Sequence, residues 1–198
     1  AVINPDLKGL KPYSYAIYNG NIGEVNNSRW LYDAAAILTS RGRQDINILL
    51  AGDGQQKEEL AKKAKEESVT NFILLGLVPK NQLVGLIQNA MVSLVPLKGA
   101  KVLDTSSPNK FFESLAAGVP VIQNTKGWMK NYLEKNNIGY TLSPDDPEAL
   151  ADLLIELSAN PEMVREMGNR ARKLAAIEFD KNILADKMLD VLLRLVKG

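Results

Sequence analysis

Short, unbroken apolar runs separated by helical stretches restrict this chain more than any other feature. Six such runs recur: YAIYN (15–19), INILLA (46–51), FILLG (72–76), MVSLVP (91–96), PVIQN (120–124) and GYTL (139–142). They are β-branched or leucine-rich and do not alternate with polar residues, as expected of strands covered on both faces. Between them lie helical stretches at 28–39, 55–66, 80–89, 108–117 and 126–135. Parallel strands need a crossover between them, and a helix is the usual one. The order therefore predicts a parallel sheet with right-handed crossovers, a doubly wound α/β domain.

After SPDDPEAL the pattern turns wholly helical. Asp145 or Asp146 is placed to cap a helix that Pro147 begins, with breaks at Asn160–Pro161 and near Phe179–Asp180. In the last helix (180–198) Ile183, Leu184, Met188, Val191, Leu192, Leu195 and Val196 form an apolar stripe at helical spacing. Such a stripe must cover something, either this domain or a missing neighbour. The opening AVINPDLKGLKPYSY has no initiator methionine and is turn-rich. It reads as a linker-like start (1–13) cut from a larger protein, the whole of 1–198 being a single domain.

Composition excludes several classes. Lys plus Arg number 24 against 23 for Asp plus Glu, so there is no basic excess for nucleic-acid binding. No cysteine occurs, which removes disulfides and thiol chemistry and fits a reducing, cytoplasmic compartment. No histidine occurs, so Ser-His-Asp catalysis is impossible within the chain. No apolar run approaches the ~20 residues of a membrane span, and no signal-peptide pattern is present.

Ligands of open parallel sheets bind beyond the carboxyl ends of the strands. GNIG (20–23), GDG (52–54), GLVPK (76–80) and the long segment LKGAKVLDTSS all fall on that edge. Glycine permits tight turns and close approach of backbone to a ligand. The stretch DTSSPNKFFESLAAGVPVI (104–122) carries the most specific oddity. Ser106 or Ser107 reads as an N-cap and Pro108 as the first helical residue, which places Lys110 in a first turn that favours a carboxylate. By helical spacing Phe111, Phe112, Leu115 and Ala116 share a core face, opposite Lys110, Glu113, Ser114 and Ala117. Two readings of the outer face stand. One is a solvated Lys110–Glu113 pair worth ~0.2–0.5 kcal/mol. The other is a phosphate on the first-turn amides and Lys110, with Glu113 accepting hydrogen bonds from a ribose diol. Dinucleotide binding is disfavoured, because GDGQQK lacks the third glycine and the position ~20 residues on is apolar. No Gly-Lys-Ser/Thr P-loop occurs.

In order, YNGNIGEVNNSRWLYDAAAIL, ILLAGDGQQKEEL, FILLGLVPKNQLVGLIQNAMVSLVPL and SSPNKFFESLAAGVPVI resemble the C-terminal domain of GT-B glycosyltransferases of family 4, the glycosyl transferases group 1. SPDDPEALADLLIEL and NPEMVREMGNRARKLA resemble the tail of that domain. The resemblance implies a Rossmann-like half of a GT-B fold that binds a nucleotide-sugar donor. It places Gly20 and Asn21, Gly52, Asp53 and Gly54, and Leu77 and Val78 around the nucleotide. Ser106, Ser107, Pro108, Asn109 and Lys110 fall near the diphosphate, and Glu113 on the ribose.

By the same resemblance the full-length protein transfers a sugar, with retention, to a glycan or lipid-linked acceptor. Bacterial surface polysaccharide synthesis is the expected setting, with no metal or other cofactor. The acceptor site and the partner of the last helix would lie in a missing N-terminal domain, and peripheral membrane association is expected of the whole protein. The chain departs from the family at three positions. Thr105 stands where many members have the first of two glutamates, and Asn21 and Asn26 stand where many have an arginine and a lysine. Either Lys98, Lys101 and Lys110 supply the charge, or the site manages without it. The alternatives are a non-catalytic α/β interaction module and a nucleotide-sugar epimerase on the same scaffold.

Overall fold

A computed structural model describes residues 10–197. The expected alternation forms: β1 (Tyr15–Asn19), α1 (Ser28–Ser40), β2 (Asn47–Ala51), α2 (Lys57–Glu66), β3 (Phe72–Gly76), α3 (Lys80–Gln88), β4 (Val92–Val95), α4 (Asn109–Ala117), β5 (Val121–Gln123), α5 (Trp128–Asn136) and β6 (Gly139–Thr141). Three helices close the chain: α6 (Pro147–Ala159), α7 (Pro161–Glu178) and α8 (Lys181–Lys197). The linker-like start expected over 1–13 falls largely on residues 1–9, which lie outside the described residues.

All six strands join one parallel sheet in the order β3-β2-β1-β4-β5-β6. The chain starts in the middle, winds out to β3, then returns to the other side of β1. The strand order thus reverses between β1 and β4, the kind of place at which open α/β sheets bind ligands, and there the Lys98 amide ties the loop after β4 to the Val25 carbonyl of the loop after β1. The continuous apolar runs are explained by two covered faces. Tyr18, Ile48 and Leu50 point into a core shared with Leu31, Leu38, Leu150 and Leu154 of α1 and α6. Ile17 and Leu49 point the other way, toward Ile87 of α3. Phe111 and Leu115 of α4 pack with Met129 and Leu133 of α5 and with Ala171 and Ala175 of α7.

Helices α2 and α5 each start two residues later than their sequence pattern suggests, and loop contacts explain both. Before α2, the Gln56 amide donates to the Ile22 carbonyl. Before α5, the Lys126 amide donates to the Asp104 carboxylate at 2.8 Å. In α6 the cap is Asp146, one of the two candidates, whose carboxylate accepts from the Ala149 amide at 2.9 Å, with Pro147 as first helical residue. Gly118 ends α4 at φ +78, a left-handed conformation that suits glycine. The apolar stripe of α8 is exposed along its length, from Ile183 at 38% to Val196 at 85%, and covers no part of this domain. Among the described residues no helix is long and apolar enough to cross a membrane.

Candidate functional site

The start of α4 differs from the sequence expectation in one respect. Pro108 is the cap, with φ −71 and ψ 136, and the helix begins at Asn109. Neither Ser106 nor Ser107 caps it. A residue before proline is steered into extended backbone, Ser106 is itself extended, and its carbonyl accepts from Trp128 Nε1 at 2.9 Å. The Ser-Ser-Pro segment thus runs as a strap, and no side chain caps the first turn of α4.

Lys110 leaves that turn and runs back toward β1. Its Nζ lies 4.2 Å from the Tyr18 ring centroid and 3.4 Å from Asn26 Oδ1. Tyr18 is fully buried, and its hydroxyl donates to the Asn21 carbonyl at 2.6 Å. Burial lowers the Lys110 ammonium from the usual 10.5 to about 8, while the charge of Glu113 pulls the other way. The solvated Lys110–Glu113 pair does not form. Glu113 Oε2 instead accepts from Asn19 Nδ2 at 3.3 Å.

The two faces of α4 also divide differently. Ser114, expected outside, is fully buried, whereas Ala116, expected in the core, is exposed. The Ser114 hydroxyl lies 2.5 Å from the Lys110 carbonyl and 2.6 Å from Ser93 Oγ of β4. With both bonds made, a serine can face the sheet without an unsatisfied group.

A cleft of about 540 Å³ opens at the carboxyl ends of β1, β2 and β3, walled on one side by α4. Of the residues singled out from sequence, Gly20, Asn21, Gly52, Asp53, Leu77, Val78 and Glu113 line it. Lys110 abuts Gly20, where an added Cβ would stand 3.0 Å from Nζ. Lys110 itself, with Gly54, Thr105, Ser106, Ser107, Pro108 and Asn109, is not among the lining residues. Thr105 ends a short 3-10 turn and donates to the Val102 carbonyl at 3.0 Å. Lys98 pairs with Glu24, and Lys98 and Lys101 line a separate cleft with Lys126. Of the three lysines considered for the missing charge, only Lys110 adjoins the main cleft.

Gly52 and Gly54 answer to protein rather than to a ligand. A Cβ on Gly52 would lie 1.8 Å from the Gly20 carbonyl oxygen, and one on Gly54 2.3 Å from that of Ile22. The two loops are laced together by Gly20 N to Ala51 O (2.9 Å) and Ile22 N to Asp53 O (2.8 Å). Asp53 accepts from the Gly54 amide at 2.8 Å, and that bond, with Lys57 nearby, holds its carboxyl below the usual range.

Sequence reasoning missed Asn19, Ala51, Lys80 and Leu83, which also line the cleft. Two of them carried a signal. Asn19 is the polar last residue of an apolar strand, and Lys80 is a second cation in a first turn without acid. Thus the floor is polar, with Asn19 and Glu113, whereas Leu77, Val78 and Leu83 give an apolar wall. Leu77 is 80% exposed there. Such a surface suits a ligand with a flat apolar part, vicinal hydroxyls and an anionic group. Among the described residues no three acidic side chains gather to hold a metal ion.

A sequence profile described as glycosyl transferases group 1 matches residues 7–174. The chain is 27% identical over 167 residues to the amylovoran biosynthesis glycosyltransferase AmsK of Erwinia amylovora, covering 82% of the chain and 40% of AmsK. It is 22% identical over 188 residues to the alpha-D-kanosaminyltransferase of Streptomyces kanamyceticus, covering 92% of the chain and 46% of that protein. The chain thus spans less than half the length of these relatives. Its fold superposes with a TM-score of 0.76 on Anabaena Alr3699/HepE, solved in complex with UDP and glucose, at 16% identity over 96% of the chain and 52% of that one.

Proposed function

The chain belongs to the glycosyl transferases group 1 family, and on that premise we propose that it is the donor-binding domain of a retaining glycosyltransferase. The donor is a nucleoside diphosphate sugar, with UDP as the favoured carrier. The observation that carries the reading is Lys110, a half-buried cation that pairs with no carboxylate among the described residues, beside Gly20 at the uncapped start of α4. A buried cation without a counter-ion lowers stability, and a bound anion would relieve that cost.

In this reading the diphosphate lies against the first-turn amides of α4 and Lys110, with Lys80 at the far rim. Glu113 accepts from the ribose hydroxyls, and the base lies on Leu77 and Val78. When the sugar–oxygen bond breaks, negative charge grows on the departing diphosphate. Helix amides and an ammonium already aimed at that position stabilise it without reorganisation, and no metal is required. Thr105 would leave the sugar without the carboxylate that many relatives place there.

The wider assignment is also proposed. The acceptor is a glycan or lipid-linked saccharide bound by an N-terminal domain, and the product a bacterial surface polysaccharide. The amylovoran role in the name of AmsK supports this setting. The α8 stripe would dock on that same domain.

Calorimetry with UDP, GDP, ADP and NAD tests the site. Binding of UDP that falls in Lys110→Ala and Glu113→Ala is the expected result. Undiminished binding in both variants refutes the placement, and absence of any nucleotide binding favours the interaction-module reading.

A further inference from the structure

Asn19 stands out in a strand that otherwise has no use for an amide. It is 8% exposed and closes β1 after Tyr15, Ala16, Ile17 and Tyr18, all buried. Its Nδ2 donates to Glu113 Oε2 at 3.3 Å across 94 positions of sequence. Because a carboxylate only accepts, this contact sets which way the amide faces. Asn19 Oδ1 is then left buried with no hydrogen-bond partner.

An orphaned buried acceptor lowers stability, and a leucine, with the same branching and no polar atom, would carry no such cost. The fold gains nothing from asparagine here, so the value of this side chain lies in its contact with Glu113. Residues that work against the fold in this way concentrate at functional sites.

Glu113 itself is exposed, on the second turn of α4. Its terminal torsion is broad and two-fold, so an unrestrained carboxylate samples many planes. Asn19 engages one oxygen, Oε2, and Glu113 lines the cleft. We propose that Asn19 is a positioning residue that holds the Glu113 carboxylate in the plane needed to accept from both hydroxyls of a ribose. It thereby makes the site select ribonucleotides over 2′-deoxyribonucleotides. This inference rests on the donor-site reading above and adds to it a specificity and the residue that sets it.

The test compares UDP with 2′-deoxy-UDP in calorimetry for the unmodified chain, Asn19→Leu, Glu113→Ala and the double variant. A hydrogen bond to a charged group sets the scale, so the unmodified chain should prefer UDP by about tenfold or more. In Asn19→Leu the affinity for UDP should fall further than that for 2′-deoxy-UDP, which has only the 3′-hydroxyl contact to lose, bringing the ratio toward one. The denaturation midpoint should hold or rise, because the orphaned acceptor has gone. Loss in the double variant should equal that of Glu113→Ala alone, since both act through one contact.

Asn19→Ala, which adds no volume, serves if leucine does not fit, and carries the same expectation for the ratio. A ratio unchanged in the folded variant overturns the inference alone, as does additive loss in the double variant. Failure of the unmodified chain to bind UDP overturns the donor-site reading and this inference with it.

Discussion

Replacing Lys110 with methionine should make the protein more stable and its nucleotide site worse. The ammonium sits on the Tyr18 ring beside the Asn26 amide oxygen, and burial, against a smaller opposing pull from Glu113, lowers its proton affinity from 10.5 to about 8. At ~1.4 kcal/mol for each tenfold change in proton affinity, keeping that charge at pH 7 costs ~3 kcal/mol. Methionine has a similar length, no charge and no need of a partner. It gives up the cation–π contact, worth ~0.5–2 kcal/mol, so a net gain of ~1–3 kcal/mol is expected.

The pH dependence identifies the cause. The folded-state value lies below the unfolded one, so the unfolded chain binds more protons between pH 8 and 10.5. Unmodified protein therefore gains stability across that window, relative to Lys110→Met, and the difference between the two closes. Urea unfolding of both at pH 7 and pH 10 measures it, since all other titrating groups are common to the pair. A variant less stable at pH 7, or a difference independent of pH, would show that the buried charge is not what strains this site.

Four further outcomes follow from particular contacts. UDP affinity should be flat up to about pH 8 and fall above it, because only the charged Lys110 attracts the diphosphate; calorimetry in buffers of different ionisation enthalpy should record proton uptake on binding near pH 8. Gly52→Ala should cost ~3 kcal/mol or more by urea unfolding, because its Cβ would fall 1.8 Å from the Gly20 carbonyl oxygen; a loss under 1 kcal/mol would mean the two loops separate easily. Ser114→Ala should lose ~1–3 kcal/mol, since it strands the buried Ser93 hydroxyl, whereas Ser93→Ala/Ser114→Ala should recover part of that. At high concentration the chain should self-associate through α8, and Leu192→Glu with Leu195→Glu should leave it monomeric in sedimentation; monomer in the unmodified chain would contradict this.

The alternation of strands and helices was legible because it depends on local periodicity. An unbroken apolar run such as FILLG signals two covered faces wherever it lies, and Pro147 after Asp146 marks a helix start without reference to the rest of the chain. Lys110 in an acid-free first turn was likewise visible, being an anomaly against a local rule. Seven of the site residues singled out by sequence do line one cleft. Ser114 was misplaced because helical spacing allows a wide stripe, and only the Ser93 hydroxyl beneath it makes a buried serine acceptable.

Sequence alone settled the class of fold, the edge of the sheet on which to look and the oddity of a lysine at the head of α4. Tertiary structure decided what those residues meet. Strand order brings Asn19 to Glu113, lays Lys110 across Tyr18 and crosses the loops at Gly52 so tightly that no side chain fits. Periodicity is a property of neighbouring residues, whereas the partner of a buried polar group depends on which distant strands lie side by side.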